Sequence, residues 1–133
     1  MKYLLDTCCI SDFIKNDKNT VFRLQNTPPN EIAVSTISVM ELEYGLLLNP
    51  ARGKKIRPYI EDIISNVHIL PYGLETANYS AAIRAALKKT GKPIGSYDVL
   101  IAGIALEHDL ILVTSNLKEF QRIPKLHIEN WRD

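Results

Sequence analysis

The chain has 133 residues, of which 46% are apolar and 23% charged. That length suffices to bury a core without disulfides or a structural metal, and that balance excludes disordered and fibrous classes. A formal charge of +1 excludes nucleic-acid binding by bulk positive charge, so any such contact must come from local basic patches.

In chain order, Tyr3-Leu4-Leu5 reads as a short buried strand ending at Asp6, and Ile10, Phe13 and Ile14 then recur at helical spacing. A polar stretch from Lys15 to Thr20 precedes a second short helix around Val21 to Leu24. Thr27-Pro28-Pro29-Asn30 is a turn by its prolines. Glu31 to Ser35 reads as a second buried strand, followed by helices over about Ile37 to Leu48 and Lys54 to Ser65. Val67 to Leu70 is a third strand, stopped by Pro71. The alanine-rich run from about Glu75 to Lys89 is a helix ended by Gly91 and Pro93. Ser96 is placed to cap a helix running to about His108, Leu110 to Val113 is a continuous aliphatic strand, and Leu126-His127-Ile128 adds an edge strand.

Apolar strands separated by helices predict an α/β/α sandwich with a central, mostly parallel sheet, and 1–133 is expected to be one domain. In such sheets ligands bind beyond the carboxyl ends of the strands. Asp6, Ser35-Thr36 and Thr114-Ser115-Asn116 all follow strands and therefore face one rim.

Three acids stand out around that rim. Asp6 follows the first strand, where a carboxylate is commonly a cap or turn former. Glu41 shares a helical stripe with Ser38 and Gly45, while Glu43 points almost the opposite way. A mid-helix glycine costs about 1 kcal/mol relative to alanine, so Gly45 suggests close approach by something on that stripe. Asp98 opens a helix that is apolar on almost every side and hence buried. The helix dipole favours an acid there by only about 0.3–1 kcal/mol, against a desolvation cost of several kcal/mol; a cation partner resolves the conflict. Asn116 has capping-box spacing to Glu119.

The segments Tyr3-Leu4-Leu5-Asp6-Thr7, Ile37 to Gly45, Ile94 to Ala102, and Leu112 to Asn116 with Glu119-Phe120 together resemble the PIN-domain family, and within it the VapC toxins of VapBC-type toxin–antitoxin pairs. The resemblance implies an α/β/α sandwich and an endoribonuclease dependent on magnesium, for which manganese substitutes. Asp6, Glu41 and Asp98 match the family's first three acids, and Asn116 stands where many members carry a fourth. Cys8 departs from the usual Asp-Thr-Asn run.

Magnesium prefers oxygen ligands and usually keeps several waters. Asp6 and Asp98 are the expected direct ligands; Glu41 either ligates through water or orients and deprotonates the attacking water. Thr7 and Asn116 would orient ligands or waters. A metal-activated water would hydrolyse RNA, with transfer RNA a plausible target by analogy, leaving a 5′-phosphate and a 3′-hydroxyl. Two basic runs, Arg52, Lys54, Lys55 and Arg57, then Arg84, Lys88, Lys89 and Lys92, are candidates for the RNA backbone.

Rival chemistries lack their residues. His68, His108 and His127 are scattered, no spaced Cys or His pairs suggest zinc, and Cys8 has no histidine nearby in sequence. A phosphoacceptor receiver would need an acidic pair after the first strand and a late lysine. A dehalogenase-type phosphatase would need an Asp where Cys8 stands, and a P-loop is absent. The non-enzymatic alternative is a PIN-like scaffold that binds RNA or protein.

The implied partners are an RNA substrate, the C-terminal tail of a VapB-type antitoxin blocking the acidic pocket through an arginine, and a second copy of the chain. Phe13, Phe22, Tyr44 and Leu47 are candidates for these interfaces or for ordinary packing. Adjacent Cys8 and Cys9 are badly placed to bridge each other. The first residues hold too short an apolar run for a signal peptide, and no stretch nears the roughly 20 residues of a membrane span, so a cytoplasmic protein is expected.

Overall fold

A computed structural model describes residues 1–132. Strands β1 (Tyr3–Leu5), β2 (Ile32–Ser35), β3 (His68–Leu70), β4 (Ile111–Val113) and β5 (Ile128–Glu129) form one sheet in the order β3-β2-β1-β4-β5. Every pairing is parallel, with Leu4 opposite Ala33 on one side and Leu112 on the other. The first strand is thus central and dry on both faces, which is why it reads as an unbroken apolar run.

Alternation along the strands divides the apolar residues between two cores. Leu4, Ala33 and Leu112 face α5 (Leu74–Thr90), α6 (Ser96–Glu107) and Phe120 of α7 (Leu117–Phe120). Tyr3, Leu5, Val34 and Val113 face α1 (Thr7–Ile14), α3 (Thr36–Leu48) and α4 (Pro50–Asn66). The short α2 (Lys18–Gln25) follows α1. Successive connections run outward from β1 to β2 and from β4 to β5 in opposite directions, so the carboxyl ends of β1 and β4 form the topological switch point.

Several boundaries differ from the sequence-based expectation for local reasons. α2 begins at Lys18, before Val21, because the Asp17 carboxylate caps it, accepting from the Thr20 N–H and hydroxyl. α4 begins at Pro50, before Lys54, because Asn49 Oδ1 accepts the Arg52 N–H and the proline occupies the first turn. Ser96 is the first residue of α6 and not its cap; Gly95 holds the cap position.

Two glycines mark close helix approaches. A Cβ on Gly53 would lie 2.8 Å from the Leu46 carbonyl oxygen, and one on Gly103 would lie 2.2 Å from Ser80 Oγ. Gly53→Ala is therefore expected to destabilise the chain by about 1–3 kcal/mol despite alanine's better helix propensity. Chemical denaturation checks it, and unchanged or raised stability would contradict the packing described here.

The end of the chain is latched back onto α1 and α2. Trp131 is buried edge-to-face against Tyr3, with ring centroids 5.3 Å apart, and donates its indole N–H to Glu129 at 3.1 Å. Arg132 makes a forked pair with buried Asp12, at 2.8 and 2.6 Å.

Candidate active site

Asp6 leaves β1 at the switch point and caps α1, accepting the Cys9 N–H at 2.7 Å. The Thr114 side chain, at the end of β4, hydrogen-bonds the same carboxylate. The cap uses Oδ1 alone, so capping does not preclude a site role for this carboxylate. Asp6 is only 2% exposed. Burial pushes its carboxyl up to about 7 against those two hydrogen bonds, with the charges of Asp98 and Asp12 adding to the rise.

Glu41 comes from the second turn of α3, where Thr7 Oγ1 donates to its Oε1 at 2.7 Å. Thr7 Oγ1 also lies 3.0 Å from Ser38 Oγ, and Ser35 Oγ lies 3.4 Å from Ser38 Oγ. Thr7 has one hydroxyl hydrogen, so once it is given to Glu41 the chain must run Ser35 to Ser38 to Thr7 to Glu41, every O–H pointing toward the carboxylate. Ser35 and Ser38 are fully buried. Ser38→Ala should break this chain and lower cleavage about tenfold, the scale of outer-shell losses at metal sites. The Ser38→Thr variant, which retains a hydroxyl, should recover most of it in the same assay.

Asp98 lies in the first turn of α6, half-buried, with its carboxylate over Gly95, where a Cβ would stand 3.1 Å from Oδ2. Burial raises it to about 6, followed by the charges of Glu119 and Glu41 and a hydrogen bond shared with Glu119. Glu119 is the acid that the sequence reading did not place in the site. Asn116 does not cap α7 with its side chain; its Nδ2 donates to Glu119 Oε2 at 3.0 Å, while its backbone N–H donates to Thr114 Oγ1 at 2.9 Å. The capping-box spacing thus serves to hold a carboxylate, and the spacing was the available signal.

Among the described residues, no three carboxylate, imidazole or thiol side chains are already drawn into a metal-ligating cluster. The donor set is nonetheless all carboxylate, and Asp6, Glu41, Asp98 and Glu119 are electrostatically linked through Asp98. Such a set fits a hydrated, hard divalent cation held by one or two carboxylates rather than a closed protein cage. Cys8 does not supply a thiolate: burial and then the Asp6 charge push its thiol up to about 11. His68 and His127 are exposed.

Gly45 corrects an expectation. Nothing lies within 4 Å of its Cβ position, and it lines an open groove beside Thr7 and Glu41. Of the first basic run, Arg57 is committed to Glu43 through a fork at 3.0 and 3.1 Å, whereas Arg52, Lys54 and Lys55 are exposed along α4. Of the second, Arg84 and Lys88 border a groove of about 840 Å³ between α5 and α6, with Ser96 and Tyr97 on its far side. Lys89 and Lys92 are exposed at its end. Phe22, Tyr44 and Leu47 are exposed, and Phe13 packs against the α1–α3–α4 core. Among the described residues no helix is long and apolar enough to cross a membrane.

The model of the PIN domain family matches residues 3–126. The chain is similar to the tRNA(fMet)-specific endonuclease VapC of Salmonella typhimurium, with 38% identity over 98% of both chains. It is likewise 38% identical to Ribonuclease VapC2 of Haemophilus influenzae, again over 98% of both. Among solved structures, VapBC2 from Rickettsia felis bound to a promoter DNA fragment superposes with a TM-score of 0.90 at 32% identity, covering 98% of this chain and 99% of that one. The parallel sheet, the acids at its switch point and these full-length likenesses together place the chain in the PIN-domain family, among the VapC ribonucleases.

Proposed function

We propose that this chain is a metal-dependent endoribonuclease, the toxic member of a VapBC-type pair, hydrolysing RNA phosphodiester bonds at the Asp6–Glu41–Asp98 site. The observation that carries the reading is that acids from four separate segments face one rim of the sheet, where burial and mutual charge raise the Asp6 and Asp98 carboxyls to about 7 and about 6. Asp6 and Asp98 would hold magnesium or manganese, with Glu119 beside Asp98. When bound, the ion supplies counter-charge to the phosphate oxygens and makes water more acidic.

The chain's own residues do the rest. Thr7 occupies Glu41 Oε1, which leaves Oε2 to orient water and accept its proton. Asn116 fixes Glu119, and Thr114 with the Cys9 N–H fixes Asp6. Arg52, Lys54, Lys55, Arg84, Lys88, Lys89 and Lys92 are positioned to contact the RNA backbone, with salt-dependent affinity.

Transfer RNA is the substrate class to test first, since the Salmonella relative is named for it. The neighbouring solved structures are VapBC complexes, and an acidic pocket beside exposed Tyr44 and Leu47 suits an arginine-bearing antitoxin tail. A homodimer acting in the cytoplasm completes the proposal. Purified protein should cut transfer RNA in magnesium, leave 5′-phosphates, stop in EDTA and resume in manganese. A synthetic antitoxin tail should inhibit, and its arginine-to-alanine form should not. No cleavage in either metal would overturn the proposal.

A further inference from the structure

Two donors hold the Asp6 carboxylate, and they come from different elements. The Cys9 N–H belongs to α1 and reaches Oδ1 at 2.7 Å, whereas the Thr114 side chain stands at the end of β4. How the carboxylate points therefore depends on how α1 sits against the end of β4. The segment from β5 onward ties the two together. The Thr114 N–H donates to the Glu129 carbonyl at 2.9 Å. Three residues on, Arg132 forks onto Asp12 of α1, with Nε to Oδ2 at 2.8 Å and Nη2 to Oδ1 at 2.6 Å. Asp12 lies three residues beyond Cys9, on the same face of the helix. Asp6, Cys9, Asp12, Arg132, Glu129 and Thr114 thus form a closed circuit of contacts around one carboxylate.

The outer arc of this circuit is braced. Trp131 is buried against Tyr3, and Arg23 of α2 pairs with Glu129 at 3.0 Å while lying 5.1 Å from the centre of the indole. Asn19 Nδ2 donates to the Arg132 carbonyl at 2.6 Å. Asp12 is only 5% exposed. A buried ion pair gains little stability over apolar side chains of similar volume, because desolvation offsets the attraction. The fork supplies direction instead, since it fixes both carboxylate oxygens at once, which apolar contact does not do. A cation site needs that constraint, for its ligands must stay within about 0.5 Å of the bonding geometry.

We propose that Asp12 and Arg132 are positioning residues for the reaction: their forked pair fixes α1 against the end of β4, so that the Asp6 carboxylate keeps one orientation toward the site. The clamp serves the cation site proposed above and rests on that reading. Its residues act through Asp6 and need touch neither cation nor RNA.

The test compares the full chain with two variants by calorimetric manganese binding, by amide exchange without metal, and by cleavage of transfer RNA. Asp12→Leu combined with Arg132→Met replaces the pair by apolar side chains and removes one charge of each sign, so the fold should be retained. Arg132→Lys keeps the charge and loses the fork. The double variant should bind manganese about tenfold more weakly, the scale of outer-shell losses at metal sites, and Arg132→Lys should lose less. Cleavage should fall in kcat at limiting manganese, with KM for RNA unchanged, and recover as manganese is raised. Without metal, the Cys9 amide should exchange faster in the double variant while the β1 amides keep their protection. Gly53→Ala separates positioning from stability. It loosens the α3–α4 contact outside the circuit, so its manganese affinity should match wild type.

Wild-type manganese affinity and Cys9 exchange in both folded variants would overturn the clamp and leave the ribonuclease reading standing. So would equal losses in Gly53→Ala, since general loosening would then explain them. Should the double variant fail to fold, Arg132→Lys decides, and wild-type manganese affinity there overturns the clamp. Faster Cys9 exchange in the variants, with no manganese bound even by wild type, would sink the metal reading while keeping the clamp on Asp6.

Discussion

Asp98→Asn is expected to lower RNA cleavage at least about a thousandfold, roughly 4 kcal/mol of transition-state stabilisation, without unfolding the protein. Asparagine keeps the size and the hydrogen-bonding edge of the residue but removes the negative charge that a cation needs. Loss of the acid from the first turn of α6 forfeits about 0.3–1 kcal/mol of dipole interaction. Relief of the repulsion from Glu119 and Glu41 offsets it. The metal-free melting temperature should therefore stay within a few degrees of wild type while activity collapses. Equal cleavage by the two proteins would favour a PIN-like scaffold over an enzyme.

The second large effect is on stability and couples pH to metal. Burial raises the folded Asp6 carboxyl to about 7 from an ordinary 3.8, so the folded state binds a proton more tightly than the unfolded chain. Stability from this group is fully present below about 4 and is lost as pH rises toward 7. At about 1.4 kcal/mol per pH unit the loss reaches an upper limit on the order of 4 kcal/mol. Asp98, raised to about 6, adds in the same direction over a narrower window. Asp17 works the other way, because the Thr20 hydroxyl and N–H hold it below 3.8. Its contribution is lost only as pH falls through that lower value.

The metal-free melting temperature should accordingly be highest near pH 4 to 5 and decline toward pH 7.5, by roughly 4 °C per kcal/mol for a chain of this size. Magnesium should restore most of the loss at pH 7.5 and do little at pH 5, where both carboxyls hold protons. Asp6→Asn should flatten the metal-free curve. A wild-type melting temperature that rises steadily from pH 5 to 7.5 in EDTA would contradict the electrostatics of the site.

The inner strands were legible because they are largely buried on both sides, unlike the edge strands β3 and β5. Tyr3 to Leu5, Ile32 to Val34 and Ile111 to Val113 are apolar runs whose burial needs no alternation to be seen. Helix starts were less legible. Asp17 and the Asn49-Pro50 pair are ordinary start signals, yet the polar residues after them obscured the first turns of α2 and α4.

Within the site, Asp6, Glu41 and Asp98 follow from strand ends and from the family resemblance. Glu119 was hidden by a plausible capping role, which only the Asn116 Nδ2 contact to its carboxylate displaces. Ser35 was legible as a strand-end residue and Ser38 as a neighbour of Glu41 on its helical stripe. The burial of both, and the hydroxyl chain they form toward Glu41, depend on packing that neighbours in sequence do not show. Glycines show the same limit in sharper form. Gly45 and Gly53 both sit inside helices, but the first faces open space and the second meets Leu46 O. Long-range closure explains the remaining difference, for the Arg132 fork to Asp12 joins residues at opposite ends of the chain.

The most direct measurement is anomalous diffraction from a crystal soaked in manganese at neutral pH. A peak within bonding distance of an Asp6 and an Asp98 oxygen, with Glu41 in reach directly or through one water, is the predicted result. A well-ordered crystal with these carboxylates turned apart, and no manganese among them, would contradict the assignment.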